Sequence, residues 1–562
     1  MNSVCRCRRR VRHSVAAGRV GTPRQVHDEV RLRIAQFGRE GGGGLILSPA
    51  YDMQDDVPLA SIEAFFAACR QRAGRAAKAA YSPHLVVHRL NNIIDIEPRK
   101  LDRHRRGYLR ARHDEGKMTA EIAIMNKGAI ALAADSAVTM QRPGGPKIYN
   151  SVNKLFMLSK YQPVGIMVYG QAEFSGVPWE TIIKEYRKRL GGKQLPTLGE
   201  YVADFLAFLR SKPGLFSDQE QTRYVRRTIL GVFSGLRDEI DKKVKALFEG
   251  RGKATNPQIR AITRSVITEA WKVLHDAKRL PCFEELTDDE VAEKLKEIVA
   301  ELQQSVFEKL PLPTDLAAKL RSVATSLFLK DRFTGLVSGV VIAGFGECEH
   351  YPSLAPFIVD GFLDGRLRHL PQSQRHITDN SSARIVPFAQ SEMVHTFMEG
   401  IDPFYHQFLE SYLEELFDKL PGEIINALPN VTAKDKTSLG MKLKESCDRL
   451  LEDLKERTNS YRRERHVDPV IEAVAILPKD ELAAMAESLV NLTSFKRRMS
   501  MDAETVGGPI DVAVISKGDG FIWIKRKHYF DPRLNPGFLA NYYRDAAKGD
   551  EDAQGKASQE GV

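Results

Sequence analysis

The residues whose types and spacing could carry chemistry lie between positions 119 and 170. Residues 119–125 (TAEIAIM) alternate as a strand, Asn126, Lys127 and Gly128 read as a turn, and residues 129–135 (AIALAAD) read as a second, more apolar strand. With Met125 and Ala129 closing a three-residue turn, paired residue numbers sum to 254, which sets Thr119 opposite Asp135. The hydroxyl and the carboxylate would then be cross-strand neighbours, about 5 Å apart at Cβ. A hydroxyl beside a carboxylate is raw material for acid–base chemistry. Thr–Asp pairs also occur on many exposed hairpins, so spacing alone leaves a plain structural pairing open. After a Gly/Pro loop at 142–146 (RPGGP), a third strand at 152–158 (VNKLFML) carries Lys154, and a fourth at 164–170 (VGIMVYG) ends at Gly170. A lysine inside an apolar strand is costly to bury unpaired, and Asp135 is the obvious partner. The other possibility is that Lys154 snorkels outward from an edge strand.

These segments resemble a known family. Residues 129–139 (AIALAADSAVT) resemble the proteasome β-subunit pattern G-V-V-L-A-A-D-[ST]-R-A-T, Asn153 to Phe156 (NKLF) its K-K-I-F, and residues 168–172 (VYGQA) its A-G-x-x-A-D. The family's nucleophilic threonine stands sixteen residues before the aspartate, where this chain has Thr119. The resemblance to proteasome-like N-terminal-nucleophile hydrolases spans residues 118–562 and implies an α+β fold, a four-layer αββα sandwich. It also implies a threonine-type endopeptidase or amidohydrolase acting on a peptide or protein. The implied assembly is a homo-oligomeric ring or stack, with a separate ATPase as a candidate partner.

The resemblance assigns roles. Thr119 Oγ attacks the scissile carbonyl and its own α-amine, with a pKa near 8, is the general base. Lys154, held by Asp135, lowers the barrier electrostatically, and the Gly170 N–H is an oxyanion donor where a missing side chain admits substrate. Asp502 and Thr505 stand for an accessory Asp-x-x-hydroxyl pair, shifted by one residue against Gly507 and Gly508; a bulge would absorb the shift. No metal or organic cofactor is called for. The same sandwich also serves as non-catalytic ring subunits, so an inactive scaffold is the alternative.

This chemistry needs a free amine on Thr119. Translation from Met118 followed by removal of that methionine would expose it, and cleavage before Thr119 is the other route. A chain that keeps residues 1–118 is expected to be inactive.

The elements that must position these groups follow. The hydrolase-like region is expected over 118–535, with helical insertions at about 172–335 and 402–465 and a polar tail at 536–562. Helical patterns run over 179–190, 198–210, 222–248, 256–277 and 287–310, the last opened by a Thr287/Glu290 capping box. Strands are expected at 335–345 and 355–360, a helix at 479–498, and closing strands at 506–515 and 520–524. The second insertion is rich in acidic–basic pairs and reads as a solvated or subunit-facing surface.

Upstream of Met118 the composition differs. Residues 1–117 hold 23 Lys and Arg against 12 Asp and Glu, whereas the remainder holds 60 against 61. The net charge of +10 therefore belongs to the N-terminal piece, and with no aromatic interleaving it makes nucleic acid an unlikely partner. Within residues 27–72, Gly43 to Pro49 (GGLILSP) and Gln54 to Pro58 (QDDVP) resemble the end of the uroporphyrinogen decarboxylase family. One terminal βα unit cannot close an eight-stranded barrel, so residues 1–75 read as a partial fragment and decarboxylase chemistry as a remote alternative. Residues 76–117 read as a disordered linker, and the whole stretch as the tail of another reading frame. Elsewhere, six cysteines lack metal-type pairing, no run of 18 apolar residues occurs, and no secretory signal is present, which together point to a cytoplasmic, membrane-free protein. No Gly-rich stretch ends in Gly-Lys-Ser/Thr, so no phosphate-binding loop is expected.

Overall fold

In a computed structural model of the chain, the described residues belong to one compact unit, 107–562. The structure describes residues 119–540, apart from 143–144, 212–213, 252–253, 309, 311, 334–336, 429–431, 500–505, 529 and 538–539. The decarboxylase-like segment and the expected linker lie outside the described residues.

The described residues form a mixed α+β fold with antiparallel sheets. In chain order come β1 (Ala120–Asn126), β2 (Ile130–Ala134), β3 (Val138–Arg142), β4 (Gly145–Tyr149), β5 (Leu155–Met157), β6 (Val164–Gly170), β7 (Glu173–Phe174) and β8 (Val177–Pro178). Six helices follow: α1 (Trp179–Leu190), α2 (Leu198–Ser211), α3 (Asp218–Arg251), α4 (Asn256–His275), α5 (Asp288–Phe307) and α6 (Thr314–Leu329). Then come β9 (Ser338–Gly344), β10 (Ser353–Leu363), β11 (Arg366–Pro371), β12 (Arg375–His376) and β13 (Ala383–Ala389). The chain continues through α7 (Glu392–Glu399), α8 (Pro403–Ala427), α9 (Ala433–Arg462), α10 (Asp468–Ile476) and α11 (Lys479–Met499), and closes with β14 (Asp511–Ser516) and β15 (Gly520–Lys525).

Of the two large sheets, one has the order β13-β1-β2-β14-β15 and the other β11-β10-β9-β6-β5 with β12 joined to β10; β3 with β4 and β7 with β8 form two-stranded sheets. The alternation of side chains along each strand explains how they stack. Ala123 and Met125 of β1 and Ile130 and Leu132 of β2 share one buried cluster with Met167 of β6 and Val341 and Ala343 of β9, so the two sheets face each other. The opposite faces bury against helices. Ile122, Ile124, Ala131 and Ala133 pack on Leu482, Ala486 and Leu489 of α11. Ile166, Val168, Val340 and Ile342 pack on Ile182 and Tyr186 of α1 and Phe205 of α2. Because β1 and β2 are covered on both sides, they read as near-continuous apolar runs, and any charge within them must find a partner.

Helices α3 to α6 form their own apolar cluster, which reaches the sheet at Leu363 of β10. Thr287 caps α5 with the expected reciprocal bonds to Glu290. Helix α6 has no counterpart in the sequence reading, and the reason is its burial. Ala324 to Leu329 are consecutively buried, so the segment lacks the one-sided pattern that marks a surface helix. In α8, by contrast, Phe404, Phe408, Tyr412 and Leu416 are all exposed at a spacing of four, with acid–base pairs Lys444–Asp418 and Lys455–Glu414 tying α8 to α9. Among the described residues no helix is long and apolar enough to cross a membrane.

Two local expectations are corrected. The β1–β2 connection has two residues, Lys127 and Gly128, not three. Asn126 N–H donates to Ala129 O at 3.0 Å, and the Asn126 side-chain oxygen accepts from Gly128 N at 2.9 Å and Ala129 N at 3.2 Å. Asparagine thus caps its own turn. Partners such as Glu121 and Ala134 consequently sum to 255, and Asp135 stands across from Ala120 rather than Thr119. The third strand is also shorter than expected, at 155–157, because Val152 N–H leaves the ladder to reach Ser136 O at 3.1 Å.

Candidate active site

Thr119, Asp135, Lys154 and Gly170 lie at one end of the space between the sheets, where β1 begins, β2 and β6 end, and β5 begins. Thr119 stands one residue before β1, and its carbonyl accepts Gln390 N–H at 3.1 Å, extending the β1–β13 ladder. Residues 119 and 121 share the inter-sheet face with Ala123 and Met125 by strand alternation. Thr119 is 2% exposed. Its hydroxyl donates to Glu121 Oε2 at 3.0 Å, not to Asp135. In the observed register Asp135 faces Ala120, and Glu121, two residues along on the same face of β1, takes the hydroxyl.

Asp135 is held from four directions. Its Oδ1 accepts from Ala120 N at 3.1 Å and from Lys154 Nζ at 2.5 Å. Its Oδ2 accepts from Ala137 N at 3.2 Å and Gly507 N at 3.0 Å. One carboxylate therefore ties the start of β1, the exit of β2, the entry to β5 and the glycine pair before β14. Lys154 also lies 3.5 Å from Glu121 Oε1, so one buried ammonium serves two buried carboxylates. Next to this group is a second ion pair, buried Asp511 with half-buried Lys527, where Asp511 also accepts Lys527 N–H at 2.8 Å. Burial pulls the Lys527 ammonium below its ordinary range.

Gly170 closes β6 with φ of 86°, and a Cβ there would come within 2.3 Å of Val337 O. Backbone geometry, beyond any need to admit substrate, demands glycine at this position. On β6, Val168 N–H donates to Lys154 O at 2.9 Å, and Gln171 N–H donates the other way, to Val337 O at 3.3 Å. Ladder parity therefore turns the Gly170 N–H to the side of β6 that carries β5, past that strand's first residue. Asp502 and Thr505 lie outside the described residues.

Glu121 is the residue the sequence reading missed. The signal was present: an acid inside an apolar strand poses the same burial cost that marked Lys154. Burial, reinforced by Asp135 and opposed by Lys154, pushes the Glu121 carboxyl up to about 8. Near it on β6, Tyr169 is also shifted up, chiefly by burial. The Tyr169 ring stacks on Phe388 with centroids 5.8 Å apart, in space that a Cβ at Gly339 would occupy.

The raised Glu121 pKa has a consequence for stability. The folded chain binds this proton more tightly than the unfolded chain, whose ordinary value is 4.5. Its contribution to stability is full below that value and is lost as pH rises toward 8. Stability of the wild type against urea is therefore expected to fall between pH 5 and 8 more than that of Glu121→Gln, and parallel curves would refute this.

The chain matches no protein-family model, and no curated protein matches its sequence. Among the described residues, no group of three or more His, Cys, Asp and Glu side chains is placed to hold a metal ion.

Proposed function

We propose that the region from Met118 onward is a proteasome-like N-terminal-nucleophile hydrolase, a threonine-type peptidase or amidohydrolase. The observation that carries this reading is the buried chain of contacts Thr119–Glu121–Lys154–Asp135 at the edge of β1. It joins a hydroxyl to an ammonium and two carboxylates in a site closed to water on most sides. The layering of helices outside two facing sheets is the arrangement such hydrolases use, and the fold of this chain supports that assignment.

In this reading Thr119 Oγ attacks the amide carbonyl, and Lys154 stabilises the negative charge that develops nearby. The Gly170 N–H receives the oxyanion. The α-amine of Thr119 exchanges protons with the reacting groups, which requires that residues 1–118 be absent. A second reading, a non-catalytic scaffold of the same fold, draws support from the near-complete burial of Thr119 in the 562-residue chain.

Intact mass and N-terminal sequencing of protein made from its native gene separate the two. A mature chain beginning at Thr119 is expected, with peptide turnover confined to that form. Turnover by a chain that retains the upstream residues would sink the requirement for a free amine. A native chain that always retains them and never turns over would leave the scaffold.

A further inference from the structure

The nucleophile's nearest acid–base partner is a residue that the family resemblance does not supply. We propose that Glu121 is the catalytic base of this site, the carboxylate that takes the Thr119 hydroxyl proton as the Oγ–carbon bond forms. The proposal rests on the hydrolase reading and changes which group performs the first proton transfer.

Three observations carry it. The Thr119 hydroxyl already donates to Glu121 Oε2 at 3.0 Å, within the reach a base needs. Both side chains are buried, so the transfer takes place away from bulk water. Glu121 Oε1 has no hydrogen-bond donor, only the Lys154 ammonium at 3.5 Å, so the carboxylate keeps basicity that Asp135 spends on four donors. The groups facing Glu121 are Thr119 on its own strand, Asp135 at the end of β2, Lys154 before β5 and Tyr169 on β6. Its cross-strand neighbours, Ala134 and Phe388, do not titrate. The carboxyl's upward shift brings its base strength toward neutrality, where a general base works best.

The proton balance closes with water as the only co-reactant. In acylation the Oγ–carbon bond forms, the hydroxyl proton moves to Glu121, and the carbon–nitrogen bond breaks as the α-ammonium protonates the departing amine. In deacylation water attacks the ester and gives a proton to the α-amine. The carbon–Oγ bond then breaks, and Oγ recovers its proton from Glu121.

The test uses the chain with whatever N-terminus the native protein carries, and a tagged β-lactone that acylates a hydroxyl. Acylation of Thr119, located by peptide mass, is followed from pH 5 to 10. The wild-type rate is expected to rise with pH through an inflection near 8. The α-amine titrates in the same range, so the variants decide. Glu121→Gln keeps the shape and the acceptor but not the basicity; its rate is expected to fall about 10²- to 10⁴-fold and to lose the inflection. Glu121→Asp, with a shorter reach, is expected to fall less and to keep an inflection. A Glu121→Gln rate within about threefold of wild type, with the inflection intact, overturns the proposal and returns the role to the α-amine. If Glu121→Gln does not fold, an Asp variant with wild-type rate and profile overturns it equally. Absence of acylation in the wild type removes the hydrolase reading itself, a distinct result.

Discussion

Replacing Thr119 by alanine is expected to abolish acylation by the tagged β-lactone and any peptide turnover. Removing a nucleophile from an integrated catalytic group costs on the order of 10⁶ in rate, because the remaining groups have nothing to activate. The structural cost is much smaller. The variant keeps the β1–β13 bond from Gln390 N–H to the residue 119 carbonyl, which involves only backbone. It deprives Glu121 Oε2 of its hydroxyl donor, a penalty of about 1–3 kcal/mol for a buried acceptor. A folded Thr119→Ala protein that labels at the wild-type rate would show that the probe reacts elsewhere and would leave the scaffold reading. Thr119→Ser retains the hydroxyl and is expected to retain measurable labelling.

The second large effect is expected at Lys154. Lys154→Met keeps the length and apolar stem of the side chain but removes the charge that sits between Asp135 and Glu121. The Asp135 carboxylate then keeps a buried charge with no compensating cation beside a Glu121 held more firmly in its protonated form, and breaking a buried pair in this way costs about 3–5 kcal/mol. Denaturant unfolding should show that loss directly. Asp135 retains its three backbone donors, Ala120, Ala137 and Gly507, so the strand ends stay tied. Acylation of Thr119 is expected to fall together with stability, since the charge opposing the developing oxyanion is gone. The double variant Lys154→Met with Asp135→Asn should be less destabilised than the two single effects combined, because each single change strands a charge that the double change removes. Simple additivity would mean that the two side chains are not coupled.

Parts of this arrangement were legible in the residues alone. The alternation of 119–125 and the apolar run of 129–135 marked a hairpin, and the structure buries every residue of its two strands. The cost of burying Lys154 pointed to Asp135 without any coordinates, and the two are 2.5 Å apart. Thr287 with Glu290 located the start of α5, since a capping box is a local bond pattern set by residues three apart. Such features are readable because the interactions that create them lie within a few residues or follow from a single burial cost.

The tertiary structure decided the rest. Whether the hairpin loop held two residues or three went with the hydrogen bonds that the Asn126 side-chain oxygen accepts, and in the resulting register Asp135 faces Ala120 while the Thr119 hydroxyl bonds Glu121 on its own strand. A period of two means that a slip of one residue reassigns every cross-strand neighbour, and pattern alone does not fix the slip. The donor from Gly507 to Asp135 crosses 372 positions of chain, so no local signal announces it. Glu121 lies two residues from Thr119, yet its significance came only with the folded sheets. They place one ammonium between two carboxylates and exclude the water that would otherwise have made that acid ordinary.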